Sequence, residues 1–184
     1  MSEVRDSQRA KLYKAETFLM VFGKGQERLS TVQSIEEYVA HVLSSVWLIK
    51  RYPCLANAKI EVRDGRGRIR ACGAYSYIKM PKWSRCKAVV LHELAHSFIK
   101  RIYHHEVAAH GWEFCDLLLE MVQHFLGSDA GSELKASYKK HRVRWHSKKT
   151  RSADKPKRQM PPQALEALRK WREQRKAAKE ITSS

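Results

Sequence analysis

Cysteine is scarce in this sequence and never closely paired. Cys54, Cys72, Cys86 and Cys115 are the only four in 184 residues, and no two form a C-x-x-C pair. Their spacing matches no disulfide framework, which leaves them as reduced, mostly buried thiols. Long apolar runs are missing too. No stretch approaches the roughly 18 apolar residues of a membrane span, and the opening MSEVRDSQRAKLYKAE is too polar for the apolar region of an export signal. The expectation is a cytoplasmic protein with no membrane partner. There are no internal repeats.

Acidic side chains are in short supply: 19 Asp and Glu stand against 36 Lys and Arg, a formal charge of +17. The imbalance is local. Residues 135–184 hold 17 basic and 4 acidic side chains, +13 of the total, and residues 1–134 carry only +4. The basic signal thus describes a tail and says little about the core. What is present suffices for one ordinary core, with 43% hydrophobic residues, and the length suits one domain with an appendage. The composition places a domain at 1–130 and a basic tail at 131–184.

Apolar spacing outlines the elements. Leu12, Ala15, Phe18 and Leu19 recur at helical intervals over about 5–22, before the breaker Gly23-Lys24-Gly25. A second helix, capped by Ser30 or Ser34, carries Val39, Val42, Leu43, Val46 and Trp47 and stops before Pro53. Alternation around Ile60 and Val62, in RIRAC and in AYSYIKM, predicts two or three short antiparallel strands, with RDGRGR as a turn and Pro81 as the end. A third helix spans about 84–101. YHHEVAAHG is a link, and a fourth helix from Trp112 to Gly127 buries Phe114, Leu117, Leu118, Met121, Val122 and Phe125. Beyond it the chain is polybasic without a clear apolar period, until a helical pattern follows Pro161-Pro162. The fold class is α+β.

The third helix holds the chemistry. VVLHELAHSF is apolar except for two histidines and a carboxylate, and buried polar groups are costly without partners. His92 and His96 are four apart, so a helix sets both imidazoles on one face within reach of one ion. With Glu93 they form H-E-x-x-H, in which two histidines bind Zn²⁺ and the glutamate takes a proton from water on the metal. A catalytic zinc has a third protein ligand. His104, His105, Glu106, His110, Glu113, Asp116 and Glu120 are available downstream, and the spacing H-x-x-G-x-x-H is absent. His110 is distinguished by Gly111 beside it, which lets the backbone approach closely at the helix entry.

HELAH followed fourteen residues later by HGWEFCDLLLEM resembles the SprT-like zinc metalloproteases. Their two blocks, HExxH and HGxxF, match His92, Glu93 and His96, then His110, Gly111 and Phe114, within about Arg68 to Leu126. RDSQRAKLYKAE together with these blocks also resembles a small metallohydrolase family of actinobacteria and their phages, defined by sequence. The resemblance implies a minimal zincin-like domain with a small antiparallel or mixed sheet packed on helices. It also implies one catalytic Zn²⁺ on His92, His96 and His110, and Glu93 as general base acting on a protein or peptide substrate. It places the strand RACGAYSYIKMP beside the cleft, where an edge would hold extended peptide by backbone hydrogen bonds. The Cys-rich zinc ribbon of several SprT-like proteins has no counterpart here, since no cysteine follows Cys115.

Tyr75, Tyr77 and Tyr103 are candidates to bind substrate or donate to a developing oxyanion, as are His104 and His105. Glu113 and Asp116 are candidates to orient a ligand histidine. In the tail, Lys139, Lys140, Arg142, Arg144, Lys148 and Lys149 suit phosphates. Tyr138, Trp145 and Trp171 suit stacked bases of DNA or RNA. Two functions follow: a zinc metallopeptidase, which the tail could bring to nucleic-acid-bound proteins, or a nucleic-acid-binding protein whose zinc site is structural or vestigial.

Overall fold

The computed structural model describes residues 6–21, 26–104 and 106–146. Among them are six α-helices and a three-stranded mixed sheet, an α+β arrangement. Helix α1 (Arg9–Val21) buries Leu12, Ala15 and Leu19. Helix α2 (Val32–Leu43) starts from Thr31, neither of the two serines expected. Thr31 Oγ1 accepts from the Ser34 N–H (3.0 Å) and Ser34 Oγ accepts from the Thr31 N–H (3.2 Å), a reciprocal cap. The single helix expected up to Pro53 is divided. The Ser44 hydroxyl bonds the His41 carbonyl (3.2 Å), a local alternative to the helical ladder. A short α3 (Val46–Arg51) then ends before Pro53.

The sheet is mixed, one of the two arrangements expected, and departs from the antiparallel strands read from the alternation. Strands β1 (Glu61–Asp64), β2 (Cys72–Gly73) and β3 (Tyr77–Met80) lie in the order β1-β3-β2. β1 runs parallel to β3, with Val62 opposite Ile78, and only β2 is antiparallel to β3. RDGRGR does turn the chain, but it does not join paired strands. Ile69, the apolar residue of the expected partner, is 87% exposed. Alternation shows which residues share a face and leaves the partner strand open. Val62, Ile78 and Met80 are buried. Arg85, itself buried, fastens the strand ends through Asp64 Oδ1 (2.7 Å) and the Met80 carbonyl (3.2 Å).

Helix α4 (Lys87–Tyr103) is the central element, with 11 of its 17 residues buried. It contacts the sheet, α1, α2 and α5 (Trp112–Phe125), which explains why its sequence is apolar almost all round. β2 is fastened to it: Lys100 Nζ donates to the Gly73 carbonyl (3.0 Å) and Ser97 Oγ to the Ala74 carbonyl. A side chain at Gly73 would put its Cβ 2.8 Å from the His96 Cβ and tighter still on the Glu93 carbonyl, so this close approach requires glycine.

The boundary expected at 130 falls inside a helix. Helix α6 (Ser128–His141) packs against α1 and α5 with Gly131, Leu134 and Tyr138 buried, and Val143 beyond it is buried as well. The first compact unit runs to Ser147. Only three buried positions carry this helix, and the lysines around them raise the local charge, which masks the period. The helix expected after Pro162, and with it Trp171, lies outside the described residues, as do Lys148 and Lys149. No helix among the described residues is long and apolar enough to cross a membrane.

Candidate metal centre

α4 sets His92 and His96 one turn apart, and the chain entering α5 brings His110 against them. One ring nitrogen from each lies within 4.8 Å of the others. The Nε2 atoms of His92 and His96 are 3.2 Å apart. Nitrogens bound to one tetrahedral zinc at about 2.0–2.1 Å would sit roughly 3.3 Å from each other, so this pair already has that spacing. Phe114, the third residue of α5, backs all three rings with centroid distances of 5.1, 4.5 and 5.1 Å. The Nε2 of His110 is buried with no hydrogen-bond partner, a costly state for a neutral core histidine and the expected one for a metal ligand. Three histidines therefore lie close enough to hold a metal ion. Among the described residues no fourth His, Cys, Asp or Glu joins the group.

Two carboxylates from the N-terminal segment orient the rings. His92 Nδ1 is 2.9 Å from Glu16 Oε2, and His110 Nδ1 is 2.6 Å from Asp6 Oδ2. An Nδ1–H donated to a carboxylate leaves the Nε2 lone pair for a metal. Gln8 anchors the segment that carries Asp6. Its Nε2 donates to the carbonyls of His110 (2.9 Å) and Arg144 (3.0 Å), and its Oε1 accepts from the Arg144 N–H (3.0 Å).

The protonation states of His96 and His110 suit ligation, whereas His92 must give up a proton to a metal. Burial, followed by the nearby His92 and His110 charges, pushes His96 well below the ordinary histidine range. Burial also lowers His110, against the opposing hydrogen bond to Asp6. At His92 burial acts downward, but the charge and hydrogen bond of Glu16 prevail and raise it to about 9. Glu93 is raised by burial, with His92 opposing and Glu16 assisting. A carboxylate shifted in this direction is a better base near neutral pH.

Glu93 and His92 line a cavity of about 550 Å³ between α1, α4 and the chain leading into β2. None of the three tyrosines proposed from sequence lies against the histidines. Tyr75 is half exposed under the Arg101 guanidinium (4.1 Å). Tyr77 sits on β3 between Arg63 (4.0 Å) and Lys79 (5.5 Å). Tyr103 ends α4, near Glu113 and Asp116. Tyr13 takes the expected place instead, its ring 5.8 Å from that of His92 and 5.3 Å from that of His110. Glu16 and Asp6 likewise fill the orienting role expected of Glu113 and Asp116, while Glu120 pairs with Arg51 (2.8 Å) and Tyr52 (2.9 Å). One local signal pointed to Glu16: a carboxylate on the buried stripe of Leu12, Ala15 and Leu19.

His104 is the left-handed residue that ends α4, and His105 lies outside the described residues. Lys139, Lys140, Arg142 and Arg144 are exposed at and beyond the end of α6. Tyr138 is fully buried and Trp145 is half buried, its ring 5.9 Å from that of Tyr138. Packing accounts for Tyr138, which is therefore withdrawn from base stacking. The chain matches no family model, no curated protein and no solved structure with which it was compared.

Proposed function

We propose that this chain is a zinc-dependent metallohydrolase, specifically a cytoplasmic metallopeptidase with a zincin-like domain of the SprT-like kind. The observation that carries the reading is the convergence of His92, His96 and His110 beside a cavity that Glu93 also lines. Zinc held by the three Nε2 atoms would supply a Lewis acid that polarises a carbonyl oxygen and lowers the pKa of water. Glu93 takes the proton of the attacking water on its carboxylate and returns it to the leaving amine. Glu16 and Asp6 hold the ligand rings in register. Tyr13, whose hydroxyl is raised by burial and then by Glu93, stays a protonated donor beside the reacting carbonyl. β2, the edge strand expected to hold an extended peptide, is two residues long and its Gly73 carbonyl already accepts from Lys100 Nζ, so backbone pairing along it is not part of this reading.

The second reading, a nucleic-acid-binding protein with a structural zinc, draws on the exposed basic residues at the end of α6. A structural zinc is closed by a fourth protein ligand, and three ligands beside a cavity favour the catalytic reading. The two combine if the basic tail brings the peptidase to nucleic-acid-bound proteins. Zinc content and peptide hydrolysis of wild type and Glu93→Gln test the leading reading. Both proteins should purify with close to one zinc under metal-replete conditions, and the variant should lose at least about a hundredfold in rate. Wild type without zinc ends the metal reading, and a fully active Glu93→Gln ends the role of the base.

A further inference from the structure

The cavity beside His92 and Glu93 has a composition of its own. Its volume of about 550 Å³ falls within the roughly 300–1,000 Å³ of small-ligand sites. Arg9 and Tyr13, four apart on α1, share the helix face turned to it, while Leu12, Ala15 and Leu19 serve the core. Arg70, Trp83 and Val89 of α4 also line it. Tyr13 and Trp83 remain 46% and 57% exposed, an unusual cost for two large rings at one opening unless something covers them. The Trp83 indole N–H is already committed to the Ile69 carbonyl (3.0 Å), so what it offers a ligand is ring surface. Among the described residues neither Arg9 nor Arg70 is paired with a carboxylate. Among the described residues Glu93 is the only acid lining the cavity.

We propose that this cavity is the specificity subsite of the enzyme, and that it takes a large apolar side chain, preferably aromatic, from a substrate residue with an acidic neighbour. The inference rests on the metallopeptidase reading above. The apolar body fills the space between Tyr13, Val89 and Trp83, where removal from water supplies most of the affinity. The neighbouring carboxylate meets Arg9 and Arg70. Both are exposed, so they contribute discrimination more than strength.

Calorimetric binding of three amide-ended hydroxamates to the zinc-loaded full chain tests this. They are succinyl hydroxamates extended by Phe-Asp-amide, Ala-Asp-amide and Phe-Lys-amide, so the only carboxylate is an aspartate side chain. The Phe-Asp probe should bind about tenfold more tightly than Ala-Asp and about fivefold more tightly than Phe-Lys. The second difference should shrink in high salt. Trp83→Ala should abolish the first preference and Arg70→Glu should reverse the second, each with wild-type zinc content. Equal binding of the three probes overturns the proposal, and so do preferences that survive both substitutions. A chain that takes up no zinc removes the metal reading and this inference with it, whereas one that loads zinc without discriminating removes the inference alone.

Discussion

Glu16 shows how much a single buried side chain can decide. It is 2% exposed, its Oε1 has no partner, and its Oε2 holds His92 Nδ1 at 2.9 Å. A buried carboxylate committed to one imidazole in this way has a specific role in setting that ring. Glu16→Gln keeps the shape and an acceptor but removes the charge, so zinc affinity measured by chelator competition should fall about 10–100-fold. Unchanged affinity would remove Glu16 from the site. Asp116 makes the opposite kind of prediction. Burial and then the Glu120 charge raise it from 3.8 to about 6, against Arg51. Between those values the folded chain binds more protons than the unfolded one. The stability associated with protonated Asp116 is therefore complete below about pH 3.8 and is lost as pH rises through about 6. Asp116→Asn should raise Tm at pH 7 by about 2–4 °C, and the gain should vanish near pH 4. A gain that persists at pH 4 would show that the Asp116 charge is not its source.

Among the elements, α4 and β2 depend on each other most closely. Gly73 allows the strand to lie on the backbone of the helix that carries His92, Glu93 and His96. Gly73→Ala should cost about 1–3 kcal/mol in denaturant unfolding and should weaken zinc binding in the same protein, because the displaced neighbours are Glu93 and His96. Loss of stability with wild-type zinc affinity would mean that strand and metal helix are independent. The α4 helix was legible because both its metal face and its apolar faces follow from 3.6 residues per turn. The strands were legible as extended segments, but their parallel pairing was not. Val62 and Ile78 alternate equally well in either direction, so nothing local chooses between them.

For the molecule as a whole, the basic tail and the folded unit overlap. Leu134 and Tyr138 are fully buried and Ser137 Oγ donates to the Ala15 carbonyl (2.8 Å), so a chain ending at 130 loses a wall of its core. A chain ending at 147 should keep its cooperative melt and its zinc, whereas one ending at 130 should not fold. If the tail is the nucleic-acid tether, the 147 truncation should also lose most of its salt-sensitive binding to a DNA duplex in a fluorescence titration. Retained binding would assign the contact to the folded unit.

The sequence by itself determined the pieces whose geometry is local. His92, Glu93 and His96 share a helix because of their spacing. Phe114 follows His110 by four residues, one turn of a helix. It also made His110 a candidate through Gly111 and the HGWEF block. Only the tertiary structure decided what meets across distance. Asp6 and Glu16 stand 104 and 76 residues from the histidines they hold, and Tyr13 is brought to the same place by the packing of α1 on α4. Nothing in the spacing of such residues encodes their encounter. It follows from burial of Leu12, Ala15 and Leu19, which fixes how α1 is turned and therefore which of its side chains face the histidines.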